Sequence, residues 1–314
     1  MTAWPIPRVE DGPRDDAERL FGAIRGMAAA ASFELAAREA DGLGEALARL
    51  PRGSAVSVTW LPGDSDADRI AAARAIRAAG HDPVPHIAAR GIADRAAFDR
   101  LAGALAEAAE VRRLFVIAGD TRRIAGEFGS ALELIARCDP ARHGIRAIGV
   151  GGYPEGHPAI APEVLEAAVD TKLAVIADKG LAPFVVTQFA FHAAPILAWL
   201  EAFRARGNDA PVRIGLAGPA NLRTLRRYAR ICGIGASIQA LSSRGASIAR
   251  LLAEAGPDPV IRDLAGSIAC EEHGDTALHF FSFGGLDRTA RWVTAAAEGR
   301  IRLRPCEAGF ETLD

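Results

Sequence analysis

Three side chains in this sequence follow or sit within short apolar runs and could take part in acid–base chemistry or ligand binding. Glu34 lies in the segment Ser32–Leu35, an apolar setting that disfavours a charged carboxylate and favours a general acid. Asp120 follows an apolar run and Gly119, which allows a ligand to approach the backbone closely. His86 could stack on a ring or hydrogen-bond to one.

Each of these residues also has an ordinary structural explanation. Glu34 could be a strand-end carboxylate, the Gly119-Asp120 pair could be a turn, and His86 could be a core histidine with satisfied nitrogens. The two interpretations differ in one respect, because only a functional site requires the three side chains to converge. The strands and helices that carry these three side chains therefore decide between the two interpretations.

Short β-rich runs alternate along the chain with longer Ala/Leu/Arg stretches of helical spacing, such as Ala67–Ala79, Arg95–Ala109 and Asn221–Cys232. The predicted strands are Ala31–Leu35, Ala55–Trp60, Pro83–Ile87, Leu114–Ala118, Ile145–Val150, Phe184–Thr187, Val212–Leu216 and Leu278–Phe283. Eight strand-then-helix units predict an α/β fold, a (β/α)₈ TIM barrel. A doubly wound open sheet is the alternative.

The barrel is expected to form a single domain over residues 1–314, with residues 1–30 as an N-terminal extension and helix. Asp16–Ala30 would be the extra helix that closes the bottom of the barrel. Ser242–Cys270 is expected to hold two helices before the last strand. No composition shift indicates a second domain.

Polar side chains follow the predicted strands, at the end of the barrel where chemistry occurs in this fold. In chain order they are Glu34, Thr59, His86, Gly119-Asp120, Tyr153 to His157, Gln188, Gly218 and Asn221, and Asp287-Arg288. A polar residue is common at any single strand exit. Eight such ends in succession favour a convergent site.

Composition excludes several classes of protein. The 314 residues carry 37 basic and 39 acidic side chains, without the basic excess that a nucleic-acid binder needs. The four cysteines are scattered and are expected to be reduced thiols, which favours a cytoplasmic protein. The N-terminus lacks the pattern of a signal peptide, and Pro183 and Pro195 interrupt the uncharged stretch Leu181–Leu200, which argues against a membrane span.

Two local motifs are set aside. Gly149–Gly152 is glycine-rich, but Pro154 and Pro158 interrupt the segment after it, so it does not match a Rossmann fingerprint. Cys270–His273 lacks a second Cys/His pair at ligand spacing, and no metal site is predicted.

The strand-end residues together resemble one family over nearly the whole chain. The most specific segment is Tyr153-Pro154-Glu155-Gly156-His157-Pro158, and supporting segments occur in the same order at Ser32–Glu34, Ser57–Trp60, Pro85-His86, Gly119-Asp120, Thr187–Phe189 and Leu286–Arg288. This set is similar to that of the methylenetetrahydrofolate reductases, which are flavoproteins built on a (β/α)₈ barrel.

The resemblance implies a role for each matching residue. Glu34 matches the proton donor to folate, and Asp120 matches a catalytic carboxylate near flavin and pterin. Gln188 and Arg288 match substrate contacts. Positions around FAD are matched by Thr59, Trp60, His86, Gly119, Asp120, Tyr153, His157 and Lys172.

The resemblance also implies the reaction, FAD-dependent reduction of 5,10-methylenetetrahydrofolate to 5-methyltetrahydrofolate or its reverse, with NADH as the expected electron donor. Two positions depart from the family pattern. Ala118 replaces an Arg common before the Gly-Asp pair, and Leu222 replaces an aromatic that stacks on nicotinamide in some members. Because Leu222 departs from the family pattern, a protein electron donor stays an alternative to NADH. The sequence also leaves a homo-oligomer open. A folate-binding methyltransferase barrel and a non-catalytic folate or flavin module are the alternative functions.

Overall fold

The computed structural model describes residues 13–39, 43–121, 124–231, 254–268, 273–304 and 309–313. Within them, eight parallel strands close into a barrel. They are β1 (Ser32–Leu35), β2 (Ala55–Val58), β3 (Asp82–Ala88), β4 (Arg113–Ile117), β5 (Ala147–Gly152), β6 (Ala182–Thr187), β7 (Val212–Ala217) and β10 (Thr276–Phe281). Ser32 of β1 lies opposite His279 of β10, and this pairing closes the ring. The predicted barrel is confirmed, and the open sheet is excluded.

Helices cover the outside of the barrel, and all but the first of them come after a strand in the chain. They are α1 (Pro13–Ala29), α2 (Gly44–Arg49), α3 (Asp66–Ala78), α4 (Arg95–Ala109), α5 (Ala131–Arg137), α6 (Pro162–Asp178), α7 (Ala193–Ala205), α8 (Leu222–Ile231), α9 (Asp258–Ile268) and α10 (Leu286–Ala297). Two short antiparallel ladders lie outside the barrel, β8 (Ala220–Asn221) with β9 (Glu254–Ala255) and β11 (Ile301–Leu303) with β12 (Phe310–Thr312).

The extra N-terminal helix predicted from the sequence is present as α1. Ile24 and Ala28 are buried on its inner side, and the helix packs against α9, α10 and the strand β10. Of the two helices expected in 242–270, α9 is one. The remainder of that segment, like Cys232, Cys270 and Cys306, lies outside the described residues.

Helix starts follow the local sequence. Ser65 accepts a hydrogen bond from Asp68 N, and the Asp68 side chain accepts from Ser65 N, which forms a capping box at the start of α3. Asp94 caps α4 and Ser130 caps α5 in the same way with one bond each. These caps fix where the chain turns from a strand end into a helix.

The strands are apolar on both faces because both faces are buried. Outward-facing residues such as Phe33 pack with the helices. Phe115 and Phe184 fill the barrel interior, and a Cβ on Gly149 would lie 2.2 Å from the Phe184 ring. The glycines of 149–152 therefore serve packing inside β5, and α6 begins only at Pro162.

Cys138 is a free and buried thiol, and burial is the main cause that raises its pKa to about 11. A thiol held protonated in this way is a poor nucleophile. Among the described residues, no helix combines the length and the apolar character required to cross a bilayer.

Candidate active site

Alternation along β1 places Glu34 inside the barrel. Phe33 and Leu35 belong to the core between strands and helices, so Ser32 and Glu34 face the lumen. The apolar neighbours that suggested an acid in the sequence thus lie on the opposite face of the strand and do not surround the carboxylate. Its actual neighbours come from other strands.

Two imidazoles flank the Glu34 carboxylate. His86 Nε2 of β3 lies 3.4 Å from Glu34 Oε2, and His279 Nε2 of β10 lies 3.8 Å from the same oxygen. The Ser32 hydroxyl lies 2.9 Å from His279 Nδ1. We refer to Ser32, Glu34, His86 and His279 as the Glu34 cluster. The Glu34 side chain is only 14 % exposed, so this acid is largely shielded from water.

His86 is held neutral by its surroundings. Its pKa lies below the ordinary value, mainly because burial disfavours the imidazolium; His279 lowers it further, while the Glu34 carboxylate acts in the opposite direction. The ring packs on Phe115 with centroids 4.7 Å apart. A neutral imidazole retains one N–H, which leaves His86 able to hydrogen-bond without adding a charge.

This depressed pKa predicts acid sensitivity. The unfolded chain binds a proton at His86 more readily than the folded one, so the free energy of unfolding should fall as the pH drops below about 6.5. One proton corresponds to about 1.4 kcal/mol per pH unit at most. Urea unfolding between pH 8 and pH 5.5 should show this loss, and His86→Gln should flatten it. An unchanged slope in that variant would assign the acid sensitivity to other groups.

Thr59 and Trp60 follow β2 but have different surroundings. The Thr59 hydroxyl oxygen is buried and has no hydrogen-bond partner among the described residues, which is unusual for a buried polar atom. Trp60 instead packs its ring on Arg69, whose guanidinium carbon lies 3.5 Å from the ring centroid, and against Gly91. Trp60 as a cofactor contact stays a prediction.

Gly119 and Asp120 form the exit from β4. Gly119 has φ +90°, and a Cβ there would lie 3.0 Å from Ala88 Cβ, so the turn requires glycine. Asp120 is exposed. The Arg90 side chain donates to Gly119 O at 3.3 Å and to Gly129 O at 2.9 Å, which ties the end of β3 to the end of β4.

Tyr153, His157 and Gln188 are brought together beyond β5 and β6. The Tyr153 and His157 rings meet edge to face with centroids 6.2 Å apart. Once its amide is oriented to suit its neighbours, Gln188 donates to Gly156 O at 3.1 Å and accepts from Glu155 N at 3.3 Å. Burial first, and then Asp120, raises the pKa of Tyr153 and keeps the phenol protonated.

A cavity of about 270 Å³ opens beside this loop, between β4, β5 and α6. Tyr153, Gly151, Arg90 and Lys172 are among its lining residues. Burial lowers the pKa of Lys172, and no ion pair or hydrogen bond compensates its charge among the described residues. An unpaired, half-buried ammonium is a typical partner for an anion.

Arg288 lies on a different surface. Its side chain is exposed and lines a groove of about 770 Å³ between α2, α10 and the C-terminal ladder, together with Arg49, Arg291 and Arg300. The structure thus joins Glu34 with His86, and Gln188 with the loop that holds Tyr153 and His157. It places Trp60 and Arg288 among other neighbours.

Three residues that belong to these arrangements were missed by the sequence reasoning, namely Ser32, Arg90 and His279. Ser32 and His279 lie 247 residues apart, so only barrel closure relates them. Arg90 follows directly on His86-Ile87-Ala88-Ala89 at the end of β3, and a charged residue at a strand exit was the available signal. The described residues contain no group of three or more His, Cys, Asp or Glu side chains that could hold a metal ion.

Several solved structures are similar to this chain. Tryptophan synthase from M. tuberculosis is 17 % identical, with 89 % of this chain and 96 % of that chain covered at a TM-score of 0.48. Dihydropteroate synthase from Thermus thermophilus is 15 % identical, with 85 % and 92 % covered at a TM-score of 0.41. A putative phosphonomutase from Burkholderia cenocepacia is 14 % identical, with 85 % of this chain and 92 % of that chain covered at a TM-score of 0.45. Similarities this distant carry no information on function.

A comparison with protein-family models identifies the family of this chain. The model of the family described as methylenetetrahydrofolate reductase matches residues 29–249, a range that holds the barrel from β1 to β7 and includes Glu34, Asp120 and Gln188. This range is well over half of the 314 residues. The chain therefore belongs to the methylenetetrahydrofolate reductase family, whose members are oxidoreductases of one-carbon folates.

Proposed function

We propose that this protein transfers a hydride between FAD and the one-carbon unit of folate, interconverting 5,10-methylenetetrahydrofolate and 5-methyltetrahydrofolate. The observation that carries the proposal is the Glu34 carboxylate, shielded in the barrel lumen between two imidazoles at 3.4 and 3.8 Å. Opening the methylene bridge of the substrate requires a proton donor at a folate nitrogen, and a carboxyl group shielded from water inside the barrel meets that requirement.

The residues around the mouth fit a flavin dinucleotide. The buried Thr59 hydroxyl lacks a partner among the described residues and could bond a polar ring edge. Lys172 and Arg90 place two cationic side chains at a largely apolar cavity, where either could attract a phosphate. Arg90 also offers a guanidinium near Gly119-Asp120, where Ala118 replaces the family's arginine. When bound, FAD would supply the hydride chemistry that side chains lack.

Three side chains of the protein have the remaining roles, which are proton transfer, stabilisation of a cation and binding of the pterin. Glu34 gives its proton to the folate nitrogen as the bridge opens, and it takes the proton back in the reverse direction. Asp120 is exposed at the exit of β4 and would supply a negative charge that stabilises the resulting iminium cation. Gln188 offers an amide donor and an amide acceptor for the pterin edge once it releases its bonds to the 153–157 loop. NADH is the proposed electron donor.

Flavin binding tests the proposal. The purified protein incubated with FAD should acquire flavin absorbance that survives gel filtration, and the bound flavin should bleach anaerobically with NADH and recover its colour with 5,10-methylenetetrahydrofolate. A protein that takes up no flavin would overturn the proposal. A protein that binds flavin but never passes electrons to folate would point to a binding module.

Lys172→Met should weaken FAD binding about tenfold, because one hydrogen bond to a charged group contributes about 1.5 kcal/mol. The matched control is Lys179→Met, which changes the only other lysine of the chain. Lys179 donates to Cys138 O at 2.9 Å and does not line the cavity, so its replacement should leave the flavin Kd unchanged. Flavin fluorescence quenching measures both. Equal effects of the two substitutions would remove Lys172 from the cofactor site.

A further inference from the structure

Helix α8, which follows the exit of β7, carries a basic face that has no role in the assignments above. Its ten residues include four arginines and no acidic residue. Arg223, Arg227 and Arg230 are exposed, and no acidic side chain among the described residues pairs with them. Residues three and four apart lie on the same face of a helix, so these three side chains form one row, which we call the arginine stripe.

Helix stability does not explain the arginine stripe. Like charges four residues apart repel each other, and Arg223 lies in the first turn, at the positive end of the helix dipole. Many other surface arginines are balanced by carboxylates, as Arg206 is by Asp170 at 3.0 Å. An uncompensated row of cations on a chain with a formal net charge of −2 indicates that the opposite charge comes from another molecule.

Packing places α8 at the mouth of the barrel. The Tyr228 ring of α8 stacks on Phe283 with centroids 4.0 Å apart, and Phe283 stacks on Phe281 at 5.7 Å. Phe189, which lies beyond the end of β6, packs on both phenylalanines with centroids 4.9 and 5.6 Å away. Phe281 lies opposite Glu34 in the β1–β10 ladder. Two phenylalanine rings therefore connect α8 to the level of the barrel that holds Glu34.

We infer that the arginine stripe docks an acidic one-electron carrier protein, which delivers electrons to the flavin site at the barrel mouth in addition to NADH. The inference rests on the proposed function, because the carrier needs a flavin to reduce. Two reduced carriers give up one electron each, and two protons from water complete the reduction of FAD to FADH₂. Each carrier leaves oxidised by one electron, and no covalent bond forms between the proteins.

The dimensions of the stripe suit a transient protein partner. Arg223 to Arg230 span about 10 Å at 1.5 Å per residue, on the outer face of a helix, whereas small ligands bind in clefts. Electron-transfer complexes are among the smallest protein interfaces, with less than about 1,200 Å² buried, and complementary charges steer their encounter. One helix face is sufficient for such a complex and is too small for a stable dimer of this chain.

The overall charge favours an acidic protein over a nucleic acid. A nucleic acid presents a long array of phosphates and selects proteins with a basic excess, whereas this chain has 39 acidic and 37 basic side chains. A small acidic carrier needs only a local match. The three guanidiniums of the stripe provide that match beside the mouth, and the rest of the surface does not have to be basic.

The first test measures binding without turnover. A plant-type two-iron ferredoxin, which is acidic, is titrated in its oxidised form into the full-length protein with FAD present, by isothermal calorimetry. Wild type should bind it at low salt and lose affinity as salt screens the charges. Arg223→Glu/Arg227→Glu should raise the Kd by about tenfold or more. The matched control Arg74→Glu/Arg100→Glu reverses two exposed arginines on α3 and α4 and should leave the Kd unchanged.

A second variant guards against a folding defect in α8. Arg223→Gln/Arg227→Gln removes the two charges without reversing them, and arginine, glutamine and glutamate have similar helix propensities. It should keep the thermal unfolding midpoint of wild type and raise the Kd in the same direction by a smaller factor. Wild type that binds no ferredoxin, or stripe and control variants that bind it equally well, would overturn the inference.

Two other occupants of the stripe have their own signatures. Wild type that self-associates in sedimentation, with the association lost in Arg223→Glu/Arg227→Glu, would assign the stripe to a contact between copies of this chain. A short DNA duplex that binds wild type and not this variant would assign the stripe to nucleic acid. Either result, without ferredoxin binding, overturns the inference.

Stopped-flow reduction separates this inference from the proposed function. Reduced ferredoxin should bleach the bound FAD of wild type, and the rate should fall by about tenfold or more in Arg223→Glu/Arg227→Glu, while NADH reduces both proteins at the same rate. A wild type that NADH reduces and ferredoxin does not would overturn the inference and leave the proposed function intact. A protein that takes up no flavin would overturn the proposed function and electron delivery together, and the titration would still decide whether the stripe docks the carrier.

Discussion

Replacing Glu34 with glutamine should lower the rate of folate reduction by about 10²–10⁴-fold, the range that a positioned general acid contributes. Glutamine keeps the size of the side chain and its contacts with His86 and His279 but has no proton to give to a folate nitrogen. Reduction of bound FAD by NADH needs no protein acid and should keep its rate. Anaerobic stopped-flow measurement of the two half-reactions separates these outcomes.

The matched control for this variant is Glu163→Gln, which removes an exposed carboxylate in the first turn of α6. It should leave both half-reactions unchanged. If Glu34→Gln reduces folate as fast as wild type, Glu34 is not the acid, and the geometry of the cluster has another purpose. A loss in both half-reactions would instead indicate that Glu34 helps hold the cofactor.

Replacing Gly215 with alanine should destabilise the barrel by an amount near the upper end of the about 1–3 kcal/mol that overpacking costs. A Cβ at this position would lie 2.3 Å from Thr187 O and 2.7 Å from the Phe281 ring. The first of these atoms is backbone and cannot rotate away. The substitution should therefore displace the end of β6, and Gln188 with it.

The reason lies in how β6 meets β7. Their ladder ends after Val186 opposite Arg213, and beyond it the Thr187 hydroxyl takes over by accepting from Gly215 N at 2.8 Å. Glycine is required where the strands approach this closely. Gly22→Ala is the control, because Gly22 is exposed in α1 with open space around its Cα and alanine favours helix.

Chemical denaturation should show a lower midpoint for Gly215→Ala and an equal or higher one for Gly22→Ala. Folate affinity measured on the folded fraction of Gly215→Ala should also fall, since Gln188 depends on the same corner. A Gly215→Ala protein as stable as wild type would mean that the backbone of β6 and β7 can separate at no cost.

Sequence patterns were sufficient for the strands because their signal is local. The predicted runs Val212–Leu216 and Phe184–Thr187 agree with the observed strands to within two residues, and helix Arg95–Ala109 was predicted to the residue. A strand buried on both faces must be apolar throughout, and a residue at its end must tolerate water. Both conditions can be recognised from a few consecutive residues.

The environment of Glu34 could not be predicted in the same way. Its sequence neighbours Phe33 and Leu35 face the helices, and the groups that touch its carboxylate come from β3 and β10. Side chains alternate between the two faces of a strand, so the residues next to Glu34 in the sequence lie on the face opposite to its carboxylate. Likewise Trp60 and Arg288 follow their strands in sequence but pack on α3 and along the outer groove.

The amino-acid sequence by itself determined the eight strands, the order of polar residues at their ends and the family motif at 153–158, because each depends on residues that are close in the chain. Only the tertiary structure decided that Ser32, His86 and His279 surround Glu34 and that Arg90 joins Lys172 at one cavity. Closing a barrel joins its first and last strands, and no local pattern specifies which side chains then meet across the lumen.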